Sequence, residues 1–148
     1  MKQEEKQLLL KDLCARLPYH GLICQTNKGK GTLISVECSF GEDLVYVDFG
    51  RSEAEEFDLN DGDTVKPYLR PMPSMTEEEK EELRQEHVKD EKLYAECLTM
   101  AANGDDSLRG KVIPHFAADW CNKNHFDYRG LIPMGLALEA KKGMYKTE

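Results

Sequence analysis

Leu9, Leu10, Leu13 and Leu17 recur at spacings of three and four, while Glu4, Glu5, Lys6 and Lys11 fill the polar positions around them. That spacing predicts an amphipathic helix over residues 3–17 with its charged side in water. Pro18 ends it, because the proline ring pushes the preceding residue out of the helical region. From Tyr19 to Leu69 the period falls to two. Leu22-Ile23-Cys24, Thr32 to Val36 and Leu44 to Phe49 read as short strands. Phe57-Asp58-Leu59 and Thr64-Val65-Lys66 add two weaker ones. Turn residues separate them: Asn27-Lys28-Gly29-Lys30-Gly31, Phe40-Gly41-Glu42-Asp43, Gly50-Arg51-Ser52 and Asp61-Gly62. Short strands in so little chain protect their edges best by curling, so a five-stranded SH3-like barrel is expected over residues 19–70.

Pro67, Pro71 and Pro73 then predict a stiff connector over 67–75. Thr76-Glu77-Glu78-Glu79 is a capping box with an acidic first turn, which suits the positive end of a helix. The helix is expected to run to about residue 102, where Asn103-Gly104 stops it. Leu83 and Val88 are the only apolar residues of its first half; Leu93, Tyr94, Cys97, Leu98 and Ala101 line its second. Pro114 is placed to open another helix through about Asn122, with Phe116 and Trp120 on one face. A short apolar stretch, Leu131 to Leu138, follows. The expected class is α+β: a helix over 1–18, the barrel over 19–70, and a helical region over 71–148 packed on it.

Composition narrows the function. Apolar residues make up 40% and charged residues 32%, enough for a folded core beneath a strongly solvated surface. The net charge of -8 argues against a dedicated duplex-DNA or membrane-surface binder, since both targets are anionic. Residues 1–75 and 76–148 each carry -4, so neither half is a basic module. Leu8-Leu9-Leu10 is too short for a leader or a membrane span. Five cysteines without a leader read as reduced thiols, so a soluble cytoplasmic protein is expected.

His115, Asp119, Cys121, His125 and Asp127 fall within thirteen positions and are the one cluster of metal-ligating or catalytic types. His115 and Asp119 are one helical turn apart, and Cys121 with His125 offers a thiol–imidazole pair. No Cys-x-x-Cys or His-x3-His accompanies them, and a small apolar role for Cys121 beside Trp120 is the commoner outcome. No cofactor is expected. Asn27 to Thr32 resembles a phosphate loop only superficially, because Gly31 replaces the required Ser or Thr and a strand follows. A hairpin turn is expected there. The acidic run 77–82 reads as a solvated helix face.

The strand region supplies Tyr19, Phe40, Tyr46, Phe49, Phe57 and Tyr68, with Glu42, Asp43, Asp58 and Asp61 beside them to favour a basic ligand. His125-Phe126-Asp127-Tyr128-Arg129-Gly130-Leu131-Ile132 is the most distinctive string. Asp127 can cap the turn that follows and Arg129 can pair with an acid, or the string can present a recognition surface. Lys28, Lys30, Lys66 and Arg70 are the set a single-strand nucleic-acid groove would need, on one face.

Two stretches carry a resemblance. Lys66-Pro67-Tyr68-Leu69-Arg70-Pro71-Met72 runs into Ser74 to Lys80, and Asn124 to Ile132 runs into Gly135-Leu136-Ala137. With the Leu13 to Asp48 pattern they resemble a family of small uncharacterised proteins associated with phages and mobile elements of anaerobic gut bacteria. The resemblance implies an accessory or regulatory protein and carries over no functional residue. The function expected is a non-enzymatic protein-interaction module, with Tyr46, Phe49, Tyr68, Tyr128 and Arg129 as contact residues. Its partner is a protein, and a homodimer is compatible. A nucleic-acid accessory protein is the first alternative, and a small metal or thiol enzyme built on His115, Asp119, Cys121 and His125 the second.

Overall fold

The computed structural model describes residues 1–39, 41–51, 53–86 and 115–145, excepting the side chains of Glu86, His115 and Phe116. The chain forms two compact units: Met1–Tyr68 with Leu136–Leu138, and Leu69–Gly135 with Glu139–Glu148.

In the first unit, helix α1 spans Gln3–Arg16. The Lys2 backbone N–H donates to the Glu5 carboxylate at 3.0 Å, satisfying one of the groups a helix start leaves open. Pro18 falls in a 3-10 turn, Leu17–Tyr19, directly after it. Leu9, Leu10 and Leu13 are buried as the spacing predicts, while Leu17 is only half-buried. Asp12 and Arg16 are buried too, at 0% and 1% exposure. Lys6 does not face open water: its ammonium meets Asp43 at 3.1 Å and donates to Asn60.

The sheet contains β1 (Ile23–Thr26), β2 (Gly29–Ser39), β3 (Glu42–Asp48), β4 (Glu55–Asp58), β5 (Val65–Leu69) and β6 (Leu138–Glu139), ordered β4-β3-β2-β1-β5-β6. It is open, so the expected five-stranded barrel is corrected to a six-stranded open sheet. The physical reason lies in β2. Its first residues pair with β1, the rest with β3, and a bulge between Leu33 and Ser35 bends it. Helix α1 packs on this strand. Its buried leucines and the sheet's buried Cys24, Leu33, Val45, Val47, Phe57 and Val65 supply the core, so one face is covered without closure. The edges are short: β4 reads Glu-Glu-Phe-Asp and β6 has two residues.

Two backbone positions set this packing. A β-carbon on Gly31 would lie 2.6 Å from Val47 Cγ1 and 2.7 Å from the Asp48 carbonyl, so only glycine fits the close approach of β2 and β3. Pro67 does not break the chain as expected but sits inside β5, opposite Cys24. Strand alternation points its missing donor the same way as the Leu69 backbone, whose carbonyl accepts from Ala140 rather than from β1.

The second unit is centred on Met72, Met75, Leu83, Trp120, Cys121, Phe126 and Tyr128. A 3-10 turn, Met72–Ser74, leads into α2, Glu77–Glu86. The capping box forms: Glu79 N–H donates to Thr76 Oγ1 at 3.2 Å, and Thr76 N–H donates to Glu79 Oε1 at 3.1 Å. The expected continuation to residue 102, with Val88, Leu93, Tyr94, Cys97, Leu98 and Ala101, lies outside the described residues, as do Asn103-Gly104 and Pro114. Helix α3 spans His115–Lys123 and packs near α2. After it, both oxygens of buried Asp127 accept backbone N–H groups, from Leu131 at 2.8 Å and Ile132 at 2.9 Å. This is the turn-capping role its position in the string suggests.

Candidate functional site

The face of the sheet opposite Val45 and Val47 carries Tyr46. Register places Ser35, Tyr46 and Glu56 in one row across β2, β3 and β4. The Tyr46 hydroxyl lies 2.9 Å from Glu56 Oε1 and 3.1 Å from Glu37 Oε2, bridging two carboxylates. The hydrogen bond to Glu56 leads in pushing its phenol up to about 12, with desolvation and Glu37 adding to it. Acids crowd this half of the sheet and the turns around it. Residues 34–63 hold ten Asp and Glu against Arg51 alone, a net -9 within a chain of net -8. Arg51 itself is turned to Glu55 at 3.8 Å and is largely exposed.

The β1–β5 half of the same face differs. Lys30 and Lys66 flank Gln25 in a row across β2, β1 and β5. Tyr68 OH donates to Gln25 Oε1 at 2.9 Å, and the Lys30 ammonium lies 5.0 Å from the Tyr68 ring centre. Lys28 stands in the β1–β2 hairpin turn, 5.7 Å from the ring centre of buried Phe57, which shares the face of Val45. Lys28 and Lys30 therefore serve opposite faces, and Arg70 is engaged elsewhere, by Glu79.

Of the expected contact residues, Tyr46, Phe49 and Tyr68 belong to the first unit and Tyr128 and Arg129 to the second. Tyr46 is half-buried on the open face, whereas Tyr68 is buried at 9% exposure. Phe49 turns its ring edgewise to Phe57, centroids 6.0 Å apart, on the covered side. Tyr128 is buried in the second unit's core and donates to Asn122 Oδ1 at 2.9 Å; Arg129 lies over its ring at 4.6 Å.

Arg70 is the hub of the second unit, and sequence reading valued it only as a surface cation. Its guanidinium meets Glu79 at 2.6 and 2.7 Å and lies 4.1 Å from the Phe126 ring centre. Its backbone bridges Phe126: Arg70 N–H donates to His125 O at 2.7 Å, and Asp127 N–H to Arg70 O at 2.8 Å. Burial pushes the Glu79 carboxyl upward, but the hydrogen bonds from Arg70 and Thr76 and the guanidinium charge outweigh it and hold Glu79 below its usual value. Beside the pair lies a cleft of about 660 Å³, lined by Ser74, Thr76, Glu78, Glu82, Lys141, Lys142 and Tyr145 among others. The Pro-then-capping-box run of residues 71–79 was the readable signal for this junction.

Of the metal candidates, Asp119 is exposed, Cys121 is buried in the core cluster, and His125 stacks on Tyr145. The His115 side chain lies outside the described residues. Among the described residues no three His, Cys, Asp or Glu side chains converge to hold a metal ion. No described helix is long and apolar enough to cross a membrane. Compared with known proteins, the chain matches no family model, no curated protein and no solved structure.

Proposed function

We propose that this protein is a non-enzymatic protein-interaction module, accessory or regulatory in role and of phage or mobile-element origin, that receives a basic segment of a protein partner on the acidic β3–β4 half of its sheet. One observation carries the reading: the net charge of the whole chain is concentrated in the distal half of β2, β3, β4 and the turn beyond, around Tyr46 on the open face. A single-sign field of this kind steers oppositely charged partners and speeds their association. The Tyr46 ring with Glu37 and Glu56 at its hydroxyl offers one Lys or Arg side chain both an aromatic face and two carboxylates.

The test is fluorescence anisotropy with a labelled peptide of alternating Arg and Thr. Binding is expected at about 50 mM salt and weakens at least about tenfold by about 300 mM. Glu37→Lys with Glu56→Lys removes it, whereas Lys30→Glu with Lys66→Glu does not. No binding at low salt, or equal binding to the reversed variant, overturns the reading.

A further inference from the structure

Helix α3 ends in a geometry that ordinarily calls for glycine. His125 N–H donates to the Asn122 carbonyl at 3.3 Å and Phe126 N–H to the Cys121 carbonyl at 2.9 Å, the paired bonds of a Schellman end. The residue between them must take the left-handed conformation, and His125 does, at φ 64. The apolar contact that accompanies such ends is present: Phe126 stacks on Trp120, centroids 5.5 Å apart at 13°. A β-carbon is strained in this conformation, and strain held at a defined place points to a role for the side chain that causes it.

That side chain stacks on Tyr145, ring centroids 3.9 Å apart at 23°. Tyr145 closes a short segment. At the segment's start Ala140 N–H donates to the Leu69 carbonyl at 2.8 Å. Within it Met144 N–H donates to the Lys141 carbonyl at 3.0 Å, and Gly143 has φ 83. Lys141, Lys142 and Gly143 between the two anchors are exposed, and with Tyr145 they wall the cleft beside Arg70 and Glu79.

We propose that residues 140–145 are a strap over this cleft, hinged at Ala140 and latched by the stacking of Tyr145 on His125. Releasing the latch swings the wall away and opens the polar cleft, with its capped α2 start and Arg70–Glu79 pair. The device uses none of the residues of the sheet's acidic half.

Amide hydrogen exchange by NMR on the full chain tests it. In Tyr145→Ala the Met144 amide loses protection about tenfold or more, while the Ala140 amide keeps its own. His125→Gly does the same, although glycine suits the helix end better, and carries the test should Tyr145→Ala fail to fold. Tyr145→Phe keeps the ring and stays like the parent. Unchanged Met144 exchange in both His125→Gly and Tyr145→Ala overturns the latch. Ala140 and Met144 losing protection together overturns the hinge. Tyr145→Phe behaving like Tyr145→Ala overturns the role of stacking.

Discussion

Arg70 grips Glu79 with two parallel hydrogen bonds, at 2.6 and 2.7 Å, while Glu79 also accepts from the Thr76 backbone at the start of α2. One carboxylate thus caps a helix and anchors Arg70, the residue that follows β5. Arg70→Lys, which lacks the planar fork, is expected to cost about 1–2 kcal/mol in urea unfolding and Arg70→Ala more. Because the folded state lowers the Glu79 carboxyl, the stabilisation is fully present above the ordinary carboxylate value of about 4.3 and is lost as pH falls through the depressed one. Thermal melts between neutral and acid pH check this: the gap between the parent and Glu79→Gln narrows on the acid side.

Asp12 and Arg16 pair on α1 at 2.8 and 3.0 Å with both side chains fully buried. Removing one partner strands a buried charge, so Arg16→Met should cost about 3–5 kcal/mol. Asp12→Leu with Arg16→Met is expected to recover most of that loss, read from the midpoint of urea unfolding. A double variant as unstable as the single one would show that the pair's other neighbours matter more.

Cys24 lies at 0% exposure, and burial, with the Asp12 charge adding and Arg16 opposing, pushes its thiol up to about 12. It stays protonated at pH 9 and is expected to resist thiol labelling there until the protein unfolds. Cys14 and Cys38, both exposed, label in the folded state, and buried Cys121 follows Cys24. Mass spectrometry of the labelled chain distinguishes the four.

Gly31→Ala places a methyl group against Val47 and the Asp48 carbonyl. The backbone oxygen has little room to yield, so a loss of about 1–3 kcal/mol is expected in chemical denaturation. A neutral outcome would mean that β2 and β3 separate easily at this crossing.

The Tyr46 phenol, raised to about 12, titrates above an ordinary tyrosine. Ultraviolet difference titration should lose its most alkaline step in Tyr46→Phe. In Glu37→Gln with Glu56→Gln that step moves down toward about 10. The hydroxyl favours the folded state below about 10, and that contribution is lost as pH rises through 12.

Periodicity made the elements legible. Leu9, Leu10 and Leu13 declared α1, alternation declared the strands from Ile23 onward, and Thr76 with Glu79 declared the start of α2, because each signal is local. Local signals are also where the reading stopped. Asp12 and Arg16 are charged residue types that nothing local marks as buried, yet both are enclosed in the fold. Lys6 seemed free until β3 delivered Asp43.

By itself the sequence determined an α+β chain with one N-terminal helix, a region of short strands and a capped second helix. Those follow from hydrophobic spacing and turn chemistry, which act over a few residues. Only the tertiary structure decided that the sheet stays open, that Leu138–Glu139 joins it, and that Pro67 belongs inside a strand. It alone set the acidic β3–β4 half of the sheet apart from the β1–β5 half with Lys30 and Lys66, a division hidden while each half of the chain summed to the same charge. The reason is physical: strand order and helix packing join residues far apart along the chain, and charge acts through that distance in space, not through sequence.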